Sequence, residues 1–153
     1  LRRRRPVNSI ATMSKKLALL SLVALVAAGP AGAATLCAVQ APLRIAALDS
    51  REGIYVGEWR DDARRLRSCA ALVIERFNPN ETANVVYFHG VEPAWSVDKP
   101  GARREVYKVR GYDTLVNETL TTKIEFKLVG GNLEAKHTDS NGKVTTGKLQ
   151  KQY

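Results

Sequence analysis

Three polar residues in mid-chain have the types that nucleophilic hydrolysis uses. His89 ends the run "VVYFHG", and Ser96 and Asp98 follow in "EPAWSVDKP". Such chemistry needs a base within hydrogen-bond reach of the nucleophile and an acid that orients the base. Nothing in their spacing makes the three converge, and a strand-end histidine beside two ordinary loop residues is the simpler account. Glu58 and Glu75 could pair as general acid and base, but each falls where a strand is expected to face solvent. Two cysteines and two distant histidines, His89 and His137, make no recognised metal-ligand spacing. The expectation is therefore a protein with no catalytic residue, no metal and no cofactor, not an enzyme.

Binding is the better-supported chemistry. Tyr87, Phe126 and His137 fall on one alternating face of their segments, giving an apolar wall with a few polar handles, the usual make-up of a ligand pocket. Ala135 and Gly147 put small side chains on late segments and leave volume. Trp95 lies in a proline-flanked loop with no obvious strand to pack on, so it either plugs an open mouth or touches a partner. Tyr87, Trp95, Phe126 and His137 are the expected ligand-binding residues, and the expected ligand is a small apolar or amphipathic molecule. The competing reading is a solid core carrying working loops at 61–68 and 91–103, an envelope inhibitor or adaptor without catalysis. The run "RRLR" places Arg64, Arg65 and Arg67 where they could make weak contact with an anionic envelope surface.

The elements that must position these residues are strands. In "TKIEFKLVGGNLEAKHTDSNGKVTTGKL", Ile124, Phe126 and Leu128 alternate with Lys123, Glu125 and Lys127. Leu133, Ala135 and His137 then alternate with Glu134, Lys136 and Thr138. Period-two alternation marks strands with one face covered and one in water. Gly130-Gly131 and Asn141-Gly142 supply tight hairpin turns. Strands are expected near 53–60, 69–77, 82–90, 104–110, 114–119, 122–129, 132–138 and 143–149. Joined by short connections, they imply an all-β fold, an antiparallel up-and-down meander of about eight strands. Closing it into a small barrel removes the exposed edges; a two-sheet β-sandwich is the alternative.

The stretch "GIYVGEWR" at 53–60 puts Tyr55, Gly57 and Trp59 on one face. Glycine weakens a strand unless backbone must approach closely or the strand must bend. This Gly57-x-Trp59 element, on the first strand of a meander, resembles the first-strand motif of the calycins, the lipocalin and avidin-like barrels. The resemblance implies an eight-stranded barrel whose tryptophan plugs the closed end. It also implies a basic side chain from the last strand crossing the indole, a place that Lys148 or Lys151 would fill. It is residue-specific at this one element only.

The N-terminal part gives a cellular address. Residues 13–33 have a basic start (Lys15, Lys16), an apolar run from Leu17 to Ala28, and small residues at Ala31 and Ala33. That is the layout of a secretory signal peptide, with cleavage expected after Ala33. Residues 1–12 are a basic extension or precede the true start at Met13, residues 34–52 a lead-in with a short helix near 44–48, and residues 53–153 a single barrel domain. The formal charge of +9 is mostly in the leader: residues 1–33 hold six of the 24 basic residues and no acid, leaving 18 basic against 15 acidic. A nucleic-acid partner is therefore not expected. Cys37 and Cys69, an even pair, are expected to form a disulfide in an oxidising compartment. The reading is an exported bacterial protein, periplasmic or secreted, and monomeric.

Overall fold

The computed structural model describes residues 32–46 and 48–152. Among the described residues there are ten strands: β1 (Gly32–Leu36), β2 (Val39–Leu43), β3 (Gly53–Asp61), β4 (Leu66–Asn78), β5 (Thr82–His89), β6 (Gly101–Arg110), β7 (Thr114–Glu118), β8 (Lys123–Val129), β9 (Asn132–Thr138) and β10 (Val144–Lys151). The last eight form a closed antiparallel barrel in simple meander order, with β10 returning to pair with β3. The expected all-β barrel is thus present, and the sandwich is not. Of the signal peptide expected at 13–33, residues 13–31 lie outside the described residues, as does the extension at 1–12. Cleavage after Ala33 would fall within β1.

Gly57 sits at the seam that closes the barrel, opposite Leu149 of β10. A Cβ at this position would lie 1.9 Å from the Lys148 carbonyl oxygen, so only a glycine lets the two backbones approach. Tyr55 and Trp59, on the same face, are buried inward. They join Leu72, Ile74, Val85, Tyr107, Phe126 and Leu149 in one continuous core.

The lead-in differs from expectation. Instead of a helix near 44–48, the chain forms the β1–β2 hairpin, and the described residues that follow, 44–46 and 48, are not helical. The hairpin turns through Cys37 and Ala38, both at positive φ (48° and 64°), and Cys37 is disulfide-bonded to Cys69 of β4 with Cα atoms 5.5 Å apart. Leu36, Val39, Ala41 and Leu43 pack on Ala71, Val73, Val86 and Phe88, a second apolar layer on the outside of the barrel. Residues Ala70–Ile74 are buried in succession because one face meets the barrel interior and the other meets the hairpin.

Glu75 corrects a second expectation. It is 4% exposed rather than solvent-facing. Its carboxylate accepts from the Arg44 backbone N–H at 2.8 Å and from Arg104 at 2.8 and 3.1 Å. Its carbonyl accepts from the Ala46 N–H. The N–H groups that a helix would have used are thereby tied to the barrel wall. Glu58 is part-exposed and pairs with Arg60 and Arg67.

One end of the barrel is shut by Arg51. Its guanidinium lies 3.9 Å from the Phe77 ring centre and 4.2 Å from that of Tyr112, is paired with Asp49 at 2.6 Å, and donates to the Tyr112 carbonyl. The space left beside it is about 10 Å³, no more than a water molecule needs.

Candidate functional site

Alternate connections of a meander emerge at the same end, so the loops after β3, β5, β7 and β9 all surround the end opposite Arg51. There the barrel opens into a cup of about 670 Å³. The side chains that reach it come from strand ends: Trp59 from β3, Ser68 from β4, Tyr87 and His89 from β5, Arg103 from β6, Ile124 from β8, His137 from β9 and Thr145 from β10. Loops add Arg64, Trp95 to Lys99, Thr122, Asp139 and Lys143.

Trp59 is the floor. It is 5% exposed, its indole N–H donates to the Tyr87 hydroxyl at 2.7 Å, and its ring lies 6.0 Å from Phe126 and 6.3 Å from His137. Gly147 and Ala135 are small, yet the room they leave is occupied by this indole: a Cβ on Gly147 would come within 3.1 Å of Trp59 Cε3. The volume expected there as a cavity is therefore filled. Trp59 also does not plug the closed end, as the calycin resemblance implied; it sits beneath the open one. Among the described residues no lysine crosses it. Lys148 is on the outward face of β10, opposite Glu58, because Gly147 and Leu149 are the inward residues. Lys151 reaches the other end, 5.6 Å from the Tyr55 ring centre, and its ammonium donates to the Ser50 carbonyl.

Of the four residues expected to meet a ligand, Tyr87, Trp95 and His137 line the cup. Phe126 does not. It is fully buried one layer lower, against Trp59, Tyr87 and Tyr107. Burial pushes the Tyr87 hydroxyl up to about 12, and burial holds His137 below the usual imidazole range, so both are neutral at pH 7. Trp95 ends a short 3-10 helix, Pro93–Trp95, closed by Ser96 in the left-handed conformation. The loop is folded back by a Glu92–Val97 bridge, and Trp95 packs against the inner core. Its Nε1–H is buried without a hydrogen-bond partner among the described residues.

His89, Ser96 and Asp98 all border the cup, but no hydrogen bond joins them among the described residues. The His89 ring has its Nδ1 3.3 Å from the Gly90 carbonyl oxygen instead. Among the described residues no cluster of three His, Cys, Asp or Glu is placed to hold a metal, and no helix is long and apolar enough to cross a membrane.

The charges at the rim divide into two groups. Asp61 accepts from Arg64 at 2.8 Å and pairs with Lys143 at 3.2 Å, tying two loops together. The Arg64 guanidinium, foremost, holds its carboxyl down at about 2. Arg67 pairs with Glu58 at 3.0 Å, while Arg65, at φ 56°, has no ion pair among the described residues. Lys99 and Arg103 were not singled out from sequence. Arg103 stands opposite Tyr87 on β5; on its other side β6 meets β7 only from Lys108 to Arg110, so no β7 residue crowds it. The sequence signal for Arg103 was its alternation with Glu105 and Tyr107, but the strand expected to begin at 104 left it in a loop.

No family model, curated protein or solved structure matches this chain.

Proposed function

We propose that the protein is an exported calycin-type barrel that holds one small apolar or amphipathic molecule in the cup above Trp59. The observation that carries this reading is the combination of volume and lining. About 670 Å³ falls in the usual range of small-molecule sites. Trp59, Tyr87 and Trp95 supply flat apolar surface, and a ring of polar groups surrounds the opening. The filled lower barrel keeps the floor rigid, so the ligand is held at the mouth rather than in the depths. The Cys37–Cys69 disulfide supports an oxidising, extracytoplasmic location. Arg65, with Arg64 and Arg67 beside it, makes the same end suited to weak contact with an anionic envelope surface.

The adaptor reading is less well supported, because Trp95, its expected contact residue, packs inward rather than standing in solvent. The test is native mass spectrometry of the protein isolated from its own host. A retained small molecule, lost on unfolding, is the expected result. A protein that emerges empty and shows no tryptophan response when host extract is added back contradicts the proposal.

A further inference from the structure

We infer that the ligand carries a compact oxyanion, a carboxylate or a phosphate, and that Lys99 and Arg103 are the residues that select it. The inference rests on the cup reading above and sharpens it.

The lining contains four cations, Arg64, Lys99, Arg103 and Lys143, against two carboxylates, Asp98 and Asp139. Two of the cations are already engaged by Asp61, which lies just outside the lining. Asp139 is turned into its own hairpin, where its Oδ1 accepts the N–H groups of Asn141 and Lys143, each at 2.9 Å. Lys99 and Arg103 are exposed at the rim, have no ion-pair partner within 4 Å among the described residues, and border a hollow floored by the rings of Trp59, Tyr87 and Trp95. An unpaired cation at the edge of such a hollow attracts an anion more strongly than one in open water, because low-dielectric walls focus its field. Guanidinium adds a planar fork that matches a carboxylate or phosphate with two parallel hydrogen bonds. The Trp95 Nε1–H, a buried donor lacking an acceptor, is a third group that an oxygen-bearing ligand would satisfy. The floor is aromatic and the imidazole of His137 is neutral, so the rest of the molecule is apolar. Arg103 stands directly across from Tyr87, which places charge at the lip and hydrocarbon beneath it.

Paired fluorescent probes test this on the intact protein: anilinonaphthalene sulfonate, which is anionic, and N-phenylnaphthylamine, its neutral counterpart. The sulfonate is expected to bind more tightly, with a preference that weakens as salt is added. Lys99→Gln and Arg103→Gln should each weaken sulfonate binding about fivefold and leave the neutral probe unchanged. Lys127→Gln, the same loss of charge on the exposed outer wall, should change neither. Decanoate and decyl phosphate should displace the sulfonate, and decanol should not; the stronger of the two acids identifies the head group. Equal affinity for the two probes, displacement by decanol as strong as by the acids, or an equal effect of Lys127→Gln overturns the anion assignment while leaving a binding cup in place. Failure of both probes to bind removes the cup reading and this inference together.

Discussion

The indole N–H of Trp59 on β3 donates to the hydroxyl of Tyr87 on β5 at 2.7 Å. This one bond joins the floor of the cup to its wall, and both rings rest on Phe126 below. Replacing Tyr87 by Phe keeps the ring and strands the buried indole donor. The expected cost is about 1–3 kcal/mol of folding stability, read from urea denaturation, with a shift in tryptophan emission. A change below about 0.5 kcal/mol, within the range of ordinary surface substitutions, would show that the bond does not set the floor.

The same hydroxyl makes stability depend on alkali. Its value of about 12 in the folded protein lies above the 10.0 of a free phenol, chiefly through burial. The folded state therefore keeps a proton that the unfolded chain releases. Stability is fully present below pH 10 and falls as pH rises through 12, by an amount of the order of 2 kcal/mol. Tyr107, also pushed upward mainly by burial, acts in the same direction. Unfolding free energies measured from pH 8 to 12 should show the decline, and Tyr87→Phe should make it shallower. An unaltered slope in that variant would contradict the assignment.

Gly57→Ala is expected to break the barrel seam. The new methyl would collide with the Lys148 carbonyl and with Leu149 Cα, both backbone and neither free to swing aside. A loss of about 4 kcal/mol or more, or failure to fold, is the expected outcome. Gly130→Ala provides the comparison: its φ of 57° makes alanine uncomfortable, but the space around it is open, so about 1–2 kcal/mol suffices. Thermal melts of the two variants that coincide would refute the seam argument.

Reduction of Cys37–Cys69 should cost about 3–4 kcal/mol for a loop of this length, and the damage should be local. The hairpin is held by this bond and by its apolar face on Ala71, Val73, Val86 and Phe88. Hydrogen exchange should quicken at Ala34 and Ala41 on reduction while amides of β8 to β10 keep their protection. Uniform loss of protection would mean that the hairpin is integral to the barrel rather than fastened to it.

What the sequence disclosed follows from where side chains are asymmetrically solvated. β8 and β9 alternate cleanly because one face is core and the other water, and Gly130-Gly131 marks their turn. β10 carried the same information in Thr145, Gly147 and Leu149, which turns Lys148 outward; it was the calycin resemblance, not the alternation, that set a lysine across the indole. The β1–β2 hairpin was hidden for a different reason. Its two-residue turn uses Cys37 and Ala38 at positive φ, where glycine or asparagine normally gives the signal. Residues 70–74 read as an apolar run because the unseen hairpin covers their second face. Glu75, judged by its type, looked like a surface residue; its partners, Arg44 and Arg104, lie far away in sequence. The cup itself was partly visible in Tyr87, Trp95 and His137, but its cations depend on which rim charges are already paired, a three-dimensional fact.

The central claim is that one end of this barrel, and only that end, receives a small amphipathic molecule. Titrating the isotope-labelled protein with anilinonaphthalene sulfonate and following amide and indole N–H resonances tests it most directly. The account predicts shifts at the indole N–H of both Trp59 and Trp95 and at the amides of His89, Arg103 and His137, with Arg51 and Tyr112 at the closed end unmoved. Shifts confined to the outer wall or to the Arg51 end, or no shifts at all, would contradict it.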